Sequence, residues 1–333
     1  MDGEDILNEA EAFALGHLKD EGSMDPVLSE LVVHALEFPL HYRVTRLEAR
    51  WYIDAYTRRD DRNAMLLELA KLDYNMVQAA HQIDMINISR WWKNLDLPKQ
   101  LPFVARDRLV ECFLWTSGVV PEPQYKMSRE VVTKLTTLVT VIDDVYDIYA
   151  TLDEVKLFTD AIERLQLYLS LIKMHAISNS NTFHCIEFKV KFSTMYRWDV
   201  SAVEQLPDYM KLCYMAIFNT TNEIGYDILK EQNFNAETER GDVLKSVQCY
   251  MHNNGVTEDV AREYIRKLAD EAWKKMNAEL WVDSPLPEAL VKVVINFTRT
   301  SEIMYQYGDG HGIQDFETKD LVLGALVDTL PII

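Results

Sequence analysis

The sequence predicts an all-α protein, on three observations. Glycine and proline are few, 11 and 10 among 333 residues, and clusters of turn-forming residues are sparse, which favours helices. Apolar residues recur at helical spacing through most of the chain. With 48% hydrophobic residues, the chain can fill the core of one large domain or two smaller ones.

The N-terminal third predicts three helical stretches. The first covers residues 4–20, the second lies between the prolines that bound residues 26–39, and the third covers about 47–92. A proline-containing loop follows, so we place a domain boundary there and divide the chain into residues 1–97 and 98–333. The first part looks too short to be a complete helical domain.

An acidic cluster of Asp143, Asp144 and Asp147 follows an apolar run over residues 131–141. On a helix Asp143 and Asp147 lie on one face, one turn apart, and Asp144 is offset from them. The apolar run predicts that this helix is largely buried. Because buried carboxylates without partners are costly, we expect a cation beside them.

The residues after the cluster support that expectation. Thr151 and Glu154 form a capping-box pattern, so one helix ends near Ala150 and another begins. The carboxylates therefore lie at the negative end of the helix dipole. Oxygen ligands on one helix face predict Mg²⁺ or Mn²⁺ rather than zinc. An EF-hand calcium loop is a poorer match because its acids alternate around a central glycine. The alternative is a chance cluster of aspartates in an acidic chain.

Composition excludes several partners. The formal net charge is −19, and a nucleic-acid partner would require a basic surface. No stretch is long and apolar enough to span a membrane. The acidic start resembles neither a signal peptide nor a transit peptide, so we expect a cytoplasmic protein or a chain whose leader has been lost. Four widely spaced cysteines predict free thiols in a reducing compartment: Cys112, Cys185, Cys213 and Cys249.

The remaining chain continues the helical pattern, with one exception. Two arginines, Arg106 and Arg108, precede an apolar helix that reaches Trp115. Helical periodicity lapses over residues 165–197, where acids are almost absent. Further helices are predicted from Leu206 towards Ile228, from Thr257 to about Met276 and from Ser284 to near Tyr307. The glycine-rich turn at residues 308–312 lacks the lysine and hydroxyl of a phosphate-binding loop.

Seven short segments together resemble one family. In chain order they read RWWKNL, RDRLVE, IDDVYD, TLDE, YMKLCY, RGDVLKSVQCYM and YGDGHG. Each segment alone is unspecific, but the combination and its order resemble a plant class I terpene synthase of the monoterpene type. The resemblance covers nearly the whole chain outside residues 165–197.

This resemblance implies a fold and a reaction. The fold is a class I terpenoid synthase helical bundle, preceded by part of an N-terminal α-helical, α/α-barrel-like domain. The reaction is the Mg²⁺-dependent ionisation of an allylic prenyl diphosphate, with geranyl diphosphate as the expected substrate. We also expect a monomer, located in the plastid if a full-length parent carries a transit peptide.

The resemblance also assigns roles to residues. Asp143, Asp144 and Asp147 form the aspartate-rich motif, and Asp143, Asp147 and Glu237 are the expected metal ligands. Four basic residues would bind the diphosphate: Arg106, Arg108, Arg240 and Lys245. Three residues would line the pocket: Trp115, Tyr305 and Asp309. For Trp115, plain core packing is an equally good interpretation.

The chain departs from the family pattern in three places. Its N-terminal domain is shortened, and residues 165–197 interrupt a join that the family makes directly. Several helices are missing at the junction of residues 235 and 236, and most of the second metal motif is missing with them. At the two motif positions before Glu237 the chain has Leu229 and Asn233, and leucine cannot bind a hard cation.

These departures suggest a mis-spliced or mis-predicted product in which a translated intron forms the insert and a skipped exon leaves the gap. We therefore expect weak or absent activity, since incomplete preorganisation slows ionisation. Three alternatives remain: a sesquiterpene synthase acting on farnesyl diphosphate, a chain-elongating prenyltransferase, and a non-catalytic remnant or regulatory paralogue. The prenyltransferase would need a second aspartate-rich motif, which the sequence lacks.

Overall fold

The computed structural model describes residues 5–19, 25–101, 107–159, 161, 200–232, 250, 254–279, 288–306 and 316–332. Within these ranges the chain contains helices and connections but no strand, so the all-α prediction is confirmed. The helices are α1 Asp5–Leu18, α2 Pro26–Glu37, α3 Thr45–Thr57, α4 Ala64–Leu95, α5 Leu97–Gln100, α6 Leu109–Val119, α7 Lys126–Asp144, α8 over 152–159, α9 Asp208–Gln232, α10 Glu258–Glu279, α11 Glu288–Met304 and α12 Phe316–Val322.

The predicted helical stretch over residues 47–92 divides into α3 and α4. The division occurs at a polar connection, where the carboxamide oxygen of Asn63 accepts a hydrogen bond from the N–H of Leu66 at 3.1 Å. The hydroxyl of Tyr56 in turn accepts the N–H of Asn63 at 2.8 Å. Asn63 thus provides the side-chain cap that begins α4.

The chain forms two compact units. The first contains Met1–Ala79 and Phe297–Ile333, and the second contains Ala80–Asn296. The boundary predicted at residue 97 separates an N-terminal domain from a metal-binding domain. The two compact units are a different kind of division and do not test that boundary.

The first unit is built around the N-terminal half of α4 and the C-terminal tail. Ile53, Leu67, Tyr74 and Leu330 form a buried cluster. Asn75 binds the tail twice: its amide donates to the carbonyl of Leu330 at 2.8 Å, and its oxygen accepts the N–H of Leu330 at 2.9 Å. The two stretches of sequence that form the first unit are therefore joined by polar contacts as well as by apolar packing.

The second unit is built around the helical hairpin of α6 and α7. Only residues 120–125 connect the two helices, so they run antiparallel and pack side by side. Apolar residues of both helices fill the space between and around them, among them Phe113, Leu135 and Leu138. Helix α9 packs against α7, and Lys134 of α7 pairs with Glu223 of α9 at 2.9 Å.

None of the helices in the described ranges combines the length and the apolar character that crossing a membrane requires. The insert at residues 165–197 and the junction at residues 235 and 236 lie outside the described residues.

Candidate metal and diphosphate site

The hairpin brings the start of α6 and the end of α7 to the same end of the second unit. Its register follows from one contact: Sγ of Cys112 lies 3.9 Å from Oγ1 of Thr140. One helical turn before Cys112 is Arg108, and one turn after Thr140 is Asp144. Because the two helices are antiparallel, the basic and acidic segments that the sequence singled out are neighbours.

The three aspartates of the acidic cluster differ in exposure. Asp144 is buried, with 1% of its surface accessible, whereas Asp143 and Asp147 are exposed. Helix α7 is largely buried, as expected from its apolar run. Asp143 and Asp147, the expected metal ligands, are nevertheless exposed. The expectation that burial of these carboxylates requires a cation beside them is therefore wrong.

The helix changes form at the aspartates. Residues Val145–Tyr149 form a π-helical turn, closed by a hydrogen bond from the N–H of Ala150 to the carbonyl of Val145 at 3.0 Å. Such wide turns are rare in proteins, and those that occur are often found at functional sites. The chain leaves the helix at Ala150, where the capping-box pattern predicted its end.

Helix α8 holds this π turn in place. The hydroxyl of Tyr146 lies 2.9 Å from Oγ1 of Thr159, and its ring centroid lies 5.8 Å from that of Phe158. Phe158 is fully buried. The segment that carries Asp147 is therefore fixed through Tyr146, although Asp147 itself faces outward.

The predicted capping box is present at the start of α8. The carboxylate of Glu154 accepts hydrogen bonds from the N–H and the hydroxyl of Thr151, at 2.9 and 2.8 Å. The hydroxyl of Thr151 accepts the N–H of Glu154 at 3.4 Å. These bonds from Thr151, with a smaller contribution from Tyr209, lower the pKa of Glu154. The reciprocal bonds satisfy backbone donors at the start of α8 and so begin a new helix soon after the π turn.

Arg108 is already paired within its own helix. Its Nη1 lies 3.5 Å from Oε1 of Glu111, and both side chains are largely buried. Asp107 accepts the N–H of Leu109 at 3.4 Å and so supports the start of α6. Sequence reasoning missed Glu111, although a glutamate three residues after an arginine on an apolar helix is the pattern that signals this pair.

The structure brings only part of the predicted site together. Arg108, Trp115 and the three aspartates belong to the second unit, and Trp115 is partly buried on α6. Tyr305 belongs to the first unit and is half exposed. Five predicted residues lie outside the described ranges: Arg106, Glu237, Arg240, Lys245 and Asp309.

The donor set at the end of α7 fits a hard divalent cation. Among the described residues, no three His, Cys, Asp or Glu side chains are close enough to form a metal site by themselves. Asp143, at the end of α7, and Asp147, four residues later in the π turn, are however both exposed carboxylates. Mg²⁺ is commonly held by one or two carboxylates while it keeps several waters and takes phosphate oxygens from a substrate.

A separate cleft of about 410 Å³ opens at the other end of the hairpin, between the α6–α7 connection and the start of α11. Val119, Tyr125, Ser128 and Lys292 contribute to its lining, and Lys292 pairs with Glu288 at 2.7 Å. Ser128 is 15 residues before Asp143 on α7, or about 22 Å along the helix axis. The cleft is therefore distinct from the end that carries the acidic cluster.

Comparison with family sequence models gives two matches. The model described as "Terpene synthase family, metal binding domain" matches residues 93–237. A second, described as "Terpene synthase family 2, C-terminal metal binding", matches residues 232–275. The two matches meet at residues 232–237, which include the junction where the sequence predicts missing helices.

Similar proteins cover nearly all of the chain. A (-)-alpha-terpineol synthase of Vitis vinifera is 36% identical over 424 residues, covering 99% of this chain and 66% of that protein. Terpene synthase 10 of Ricinus communis is also 36% identical, over 99% of this chain and 71% of its own length. The chain thus spans slightly less than two thirds of the Vitis protein.

Solved structures agree with these sequence matches. The isoprene synthase of grey poplar is 34% identical, with a TM-score of 0.80 over 99% of this chain and 73% of the poplar chain. Its complex with three Mg²⁺ ions and dimethylallyl-S-thiolodiphosphate gives the same score. A limonene synthase complex with 2-fluorolinalyl diphosphate is 29% identical, also with a TM-score of 0.80.

Proposed function

Because the chain belongs to the terpene synthase family, whose members are lyases, we propose that it is a metal-dependent terpene synthase. Its proposed substrate is an allylic prenyl diphosphate, geranyl diphosphate first, and its products are a monoterpene and diphosphate. One observation carries the proposal: the exposed carboxylates of Asp143 and Asp147 lie at the end of the hairpin where Arg108 directly precedes α6.

Divalent cations held at Asp143 and Asp147 would stabilise the negative charge that the leaving diphosphate develops. Asp144, the third aspartate of the motif, is buried, and we propose that it supports the end of the helix rather than binding the metal directly. Glu237 is the proposed third metal ligand. A poplar relative whose structure holds three Mg²⁺ ions and a diphosphate analogue supports divalent metal use. Mn²⁺ is proposed as an alternative ion because it accepts the same oxygen ligands.

Basic side chains would bind the diphosphate and keep it from recombining with the carbocation. We assign this role to Arg106, Arg108, Arg240 and Lys245. The guanidinium of Arg108 pairs with the carboxylate of Glu111. This pair holds Arg108 at the start of α6 and offsets part of its positive charge. Arg106 lies two residues earlier in the sequence and is the stronger candidate for direct contact.

Aromatic side chains would face the hydrocarbon part of the substrate, where their π faces stabilise positive charge. Trp115 and Tyr305 are the proposed aromatic residues, with Asp309 as a polar neighbour. Exclusion of water from this region would prevent early capture of the cation.

We further propose that this chain is weakly active or inactive. The alignment with the Vitis relative extends over 424 residues, more than the 333 of the chain, so the relative has segments that the chain lacks. The two family matches meet near residue 235, in agreement with a gap there. Loss of helices at this point would remove most of the second metal motif and leave Leu229 in place of a ligand.

A second candidate function is a non-catalytic remnant or regulatory paralogue, which the missing segments favour. A sesquiterpene synthase acting on farnesyl diphosphate is the other alternative, since the described residues set no limit on the chain length of the substrate. Several similar proteins carry the word chloroplastic in their names, which supports a plastid location for a precursor with a transit peptide.

The deciding experiment incubates the purified chain with geranyl or farnesyl diphosphate and Mg²⁺ and measures the volatile products by mass spectrometry. We expect a trace of product at most from geranyl diphosphate, lost in Asp143→Ala. Asp153→Asn is the matched control, because Asp153 is an exposed carboxylate outside the acidic cluster, six residues after Asp147. Robust product lost in Asp143→Ala would overturn the proposed impairment and leave the family function standing.

A binding measurement distinguishes an impaired enzyme from a remnant. Thermal stability is measured with and without Mg²⁺ and inorganic diphosphate, since a ligand that binds only the folded state raises the melting temperature. An impaired enzyme shows a rise that Asp143→Ala abolishes and Asp153→Asn does not. If neither product nor a melting shift is observed, the remnant is the correct interpretation.

A further inference from the structure

The C-terminal tail, residues 323–332, lies against α3 and α4 as a peptide lies in a binding groove. It begins with a π-helical turn, Leu323–Val327, and continues through residues 328–332 without helix or strand. Two of its leucines, Leu326 and Leu330, are buried, whereas the three residues between them are exposed. The tail is therefore anchored by two apolar side chains four positions apart.

Side chains on one face of α4 bind the backbone of this tail. Lys71 donates to the carbonyl of Pro331 at 3.0 Å, and Gln78 donates to the carbonyl of Asp328 at 3.2 Å. Lys71 and Gln78 are buried, with 4% and 2% of their surface accessible. Because they are two helical turns apart, they lie on the same side of α4. The tail consequently runs antiparallel to the helix, with its last residues beside the earlier turn of α4.

Asn75 fixes the register of the tail. It lies on the same face of α4, and its side-chain amide pairs with both the carbonyl and the N–H of Leu330. An asparagine side chain carries an acceptor and two donors, so it can bind a peptide group as a neighbouring backbone does. On α3, Arg50 donates to the carbonyl of Asp328. Since these side chains bind backbone atoms, the groove selects the path of the tail, and the buried leucines supply the sequence preference.

We propose that α3 and α4 form a peptide-binding groove whose occupant is the chain's own C-terminal tail, and that the tail leaves and returns as a unit. The groove recognises a segment with two leucines four positions apart and a proline directly after the second, the pattern of Leu326, Leu330 and Pro331. Backbone hydrogen bonds combined with pockets for spaced side chains are a recurring mode of peptide recognition. All of these residues belong to the first compact unit, so the inference is independent of the proposed catalytic function.

The distance along the chain supports a separable occupant. Gln78 and Asp328 bind each other although they are 250 positions apart. The contacts consist of side-chain donors on two helices and the carbonyls of one short segment, so the intervening chain is not part of the recognition. The covalent connection raises the local concentration of the tail. A free peptide of the same sequence should therefore bind once the attached tail has been weakened.

The first test adds a fluorescent peptide with the sequence of residues 316–333 to the purified full chain and measures fluorescence anisotropy. Leu330→Asp removes one anchor of the attached tail, and this variant should bind the peptide at least about tenfold more tightly than the unaltered chain, where the attached tail competes. Val327→Asp, at an exposed tail position, is the matched control and should bind no better than the unaltered chain. A peptide that itself carries Leu330→Asp should not bind.

A second test does not depend on the folding of Leu330→Asp. Hydrogen exchange is measured on the unaltered chain and on Asn75→Ala, and the N–H of Leu330 should exchange at least about tenfold faster in the variant. The amides of α3 should keep their protection, because the tail opens locally. Asp73→Ala, at an exposed position of α4, should leave the exchange of Leu330 unchanged.

Three results would overturn the proposal. The first is an N–H of Leu330 that is unprotected in the unaltered chain, since the tail would then not occupy the groove. The second is an equal loss of protection in the tail and in α3 of Asn75→Ala, which would make the tail an inseparable part of the core. The third is a folded Leu330→Asp variant that binds the peptide no better than Val327→Asp does.

Discussion

Nη2 of Arg129 lies 2.8 Å from Oδ2 of Asp84, and neither side chain reaches solvent. The Nε of the same guanidinium donates to this oxygen at 2.9 Å. Its remaining N–H groups donate to the carbonyls of Val120, Glu122 and Pro123. All five donors of Arg129 are therefore used. The pair joins α4 to the α6–α7 connection and so helps to set the hairpin whose far end carries the acidic cluster.

Removal of Asp84 should therefore destabilise the protein strongly. Asp84→Ala leaves a buried guanidinium without its counter-charge, and we expect a loss of about 3–5 kcal/mol in the free energy of unfolding. Urea denaturation followed by circular dichroism measures it. Asp73→Ala is the control on the same helix, since Asp73 forms an exposed pair with Arg46 at 3.2 Å and should cost about 1 kcal/mol or less. Equal losses in the two variants would contradict the assigned importance of the buried pair.

The buried pair shows where sequence reasoning stops. Helix positions followed from apolar spacing, and the capping box of Thr151 and Glu154 was predicted correctly from two residues. Neither Asp84 nor Arg129 stood out, because the two residues are 45 positions apart and only the folded chain shows that they meet.

The candidate site was predictable to a similar extent. The acidic cluster and the arginines before α6 were identifiable from composition and spacing. The exposure of Asp143 and Asp147 and the burial of Asp144 were not, because the apolar run before them predicts a buried helix without saying where its buried side ends. The π turn at Val145–Tyr149 depends on how α8 packs against Tyr146, a tertiary effect that local spacing does not encode.

The two described cysteines should be unreactive in the folded protein. Cys112 and Cys213 are both buried. Burial raises the pKa of the Cys112 thiol and raises that of Cys213 to about 12, so little thiolate forms at pH 8. In a background with Cys185→Ser and Cys249→Ser, we expect no rapid labelling by a disulfide reagent at pH 8 and two labelled thiols after unfolding in urea.

Two cysteine substitutions on α6, the helix of Cys112, serve as controls for that prediction. Thr116→Cys, at another buried position of α6, should be equally slow, whereas Val110→Cys on the exposed side of α6 should be labelled at once. Fast labelling of the background protein without unfolding would show that the hairpin opens readily or that these thiols are not buried.

The capping box should make stability depend on acid pH. The folded-state pKa of Glu154 is lower than its ordinary value of 4.5, so its contribution is complete above that value and is lost as the pH falls through the folded pKa. Glu154→Gln keeps a capping side chain but cannot titrate, and its melting temperature should fall less than that of the unaltered protein between pH 6 and 3. Glu154→Ala should be less stable than Glu154→Gln at pH 6. Parallel acid profiles for the unaltered protein and Glu154→Gln would contradict this assignment.

The three aspartates of the cluster should divide into two roles. Asp143 and Asp147 are exposed, so Asp143→Asn and Asp147→Asn should change the free energy of unfolding by no more than about 0.5 kcal/mol. Each should weaken Mn²⁺ binding by at least about tenfold, since even residues that only support metal ligands have effects of that size. Asp144 is buried and interacts with other groups of the protein, so Asp144→Asn should lower the free energy of unfolding by about 1–3 kcal/mol.

Titration with Mn²⁺ by electron paramagnetic resonance and denaturation in urea measure metal binding and stability separately. Asp153→Asn should change neither, because its carboxylate is exposed and lies beyond the π turn. If Asp143→Asn lowered stability as much as Asp144→Asn while leaving Mn²⁺ binding unchanged, the exposed pair would be a structural feature of the helix end and the proposed metal site would be wrong.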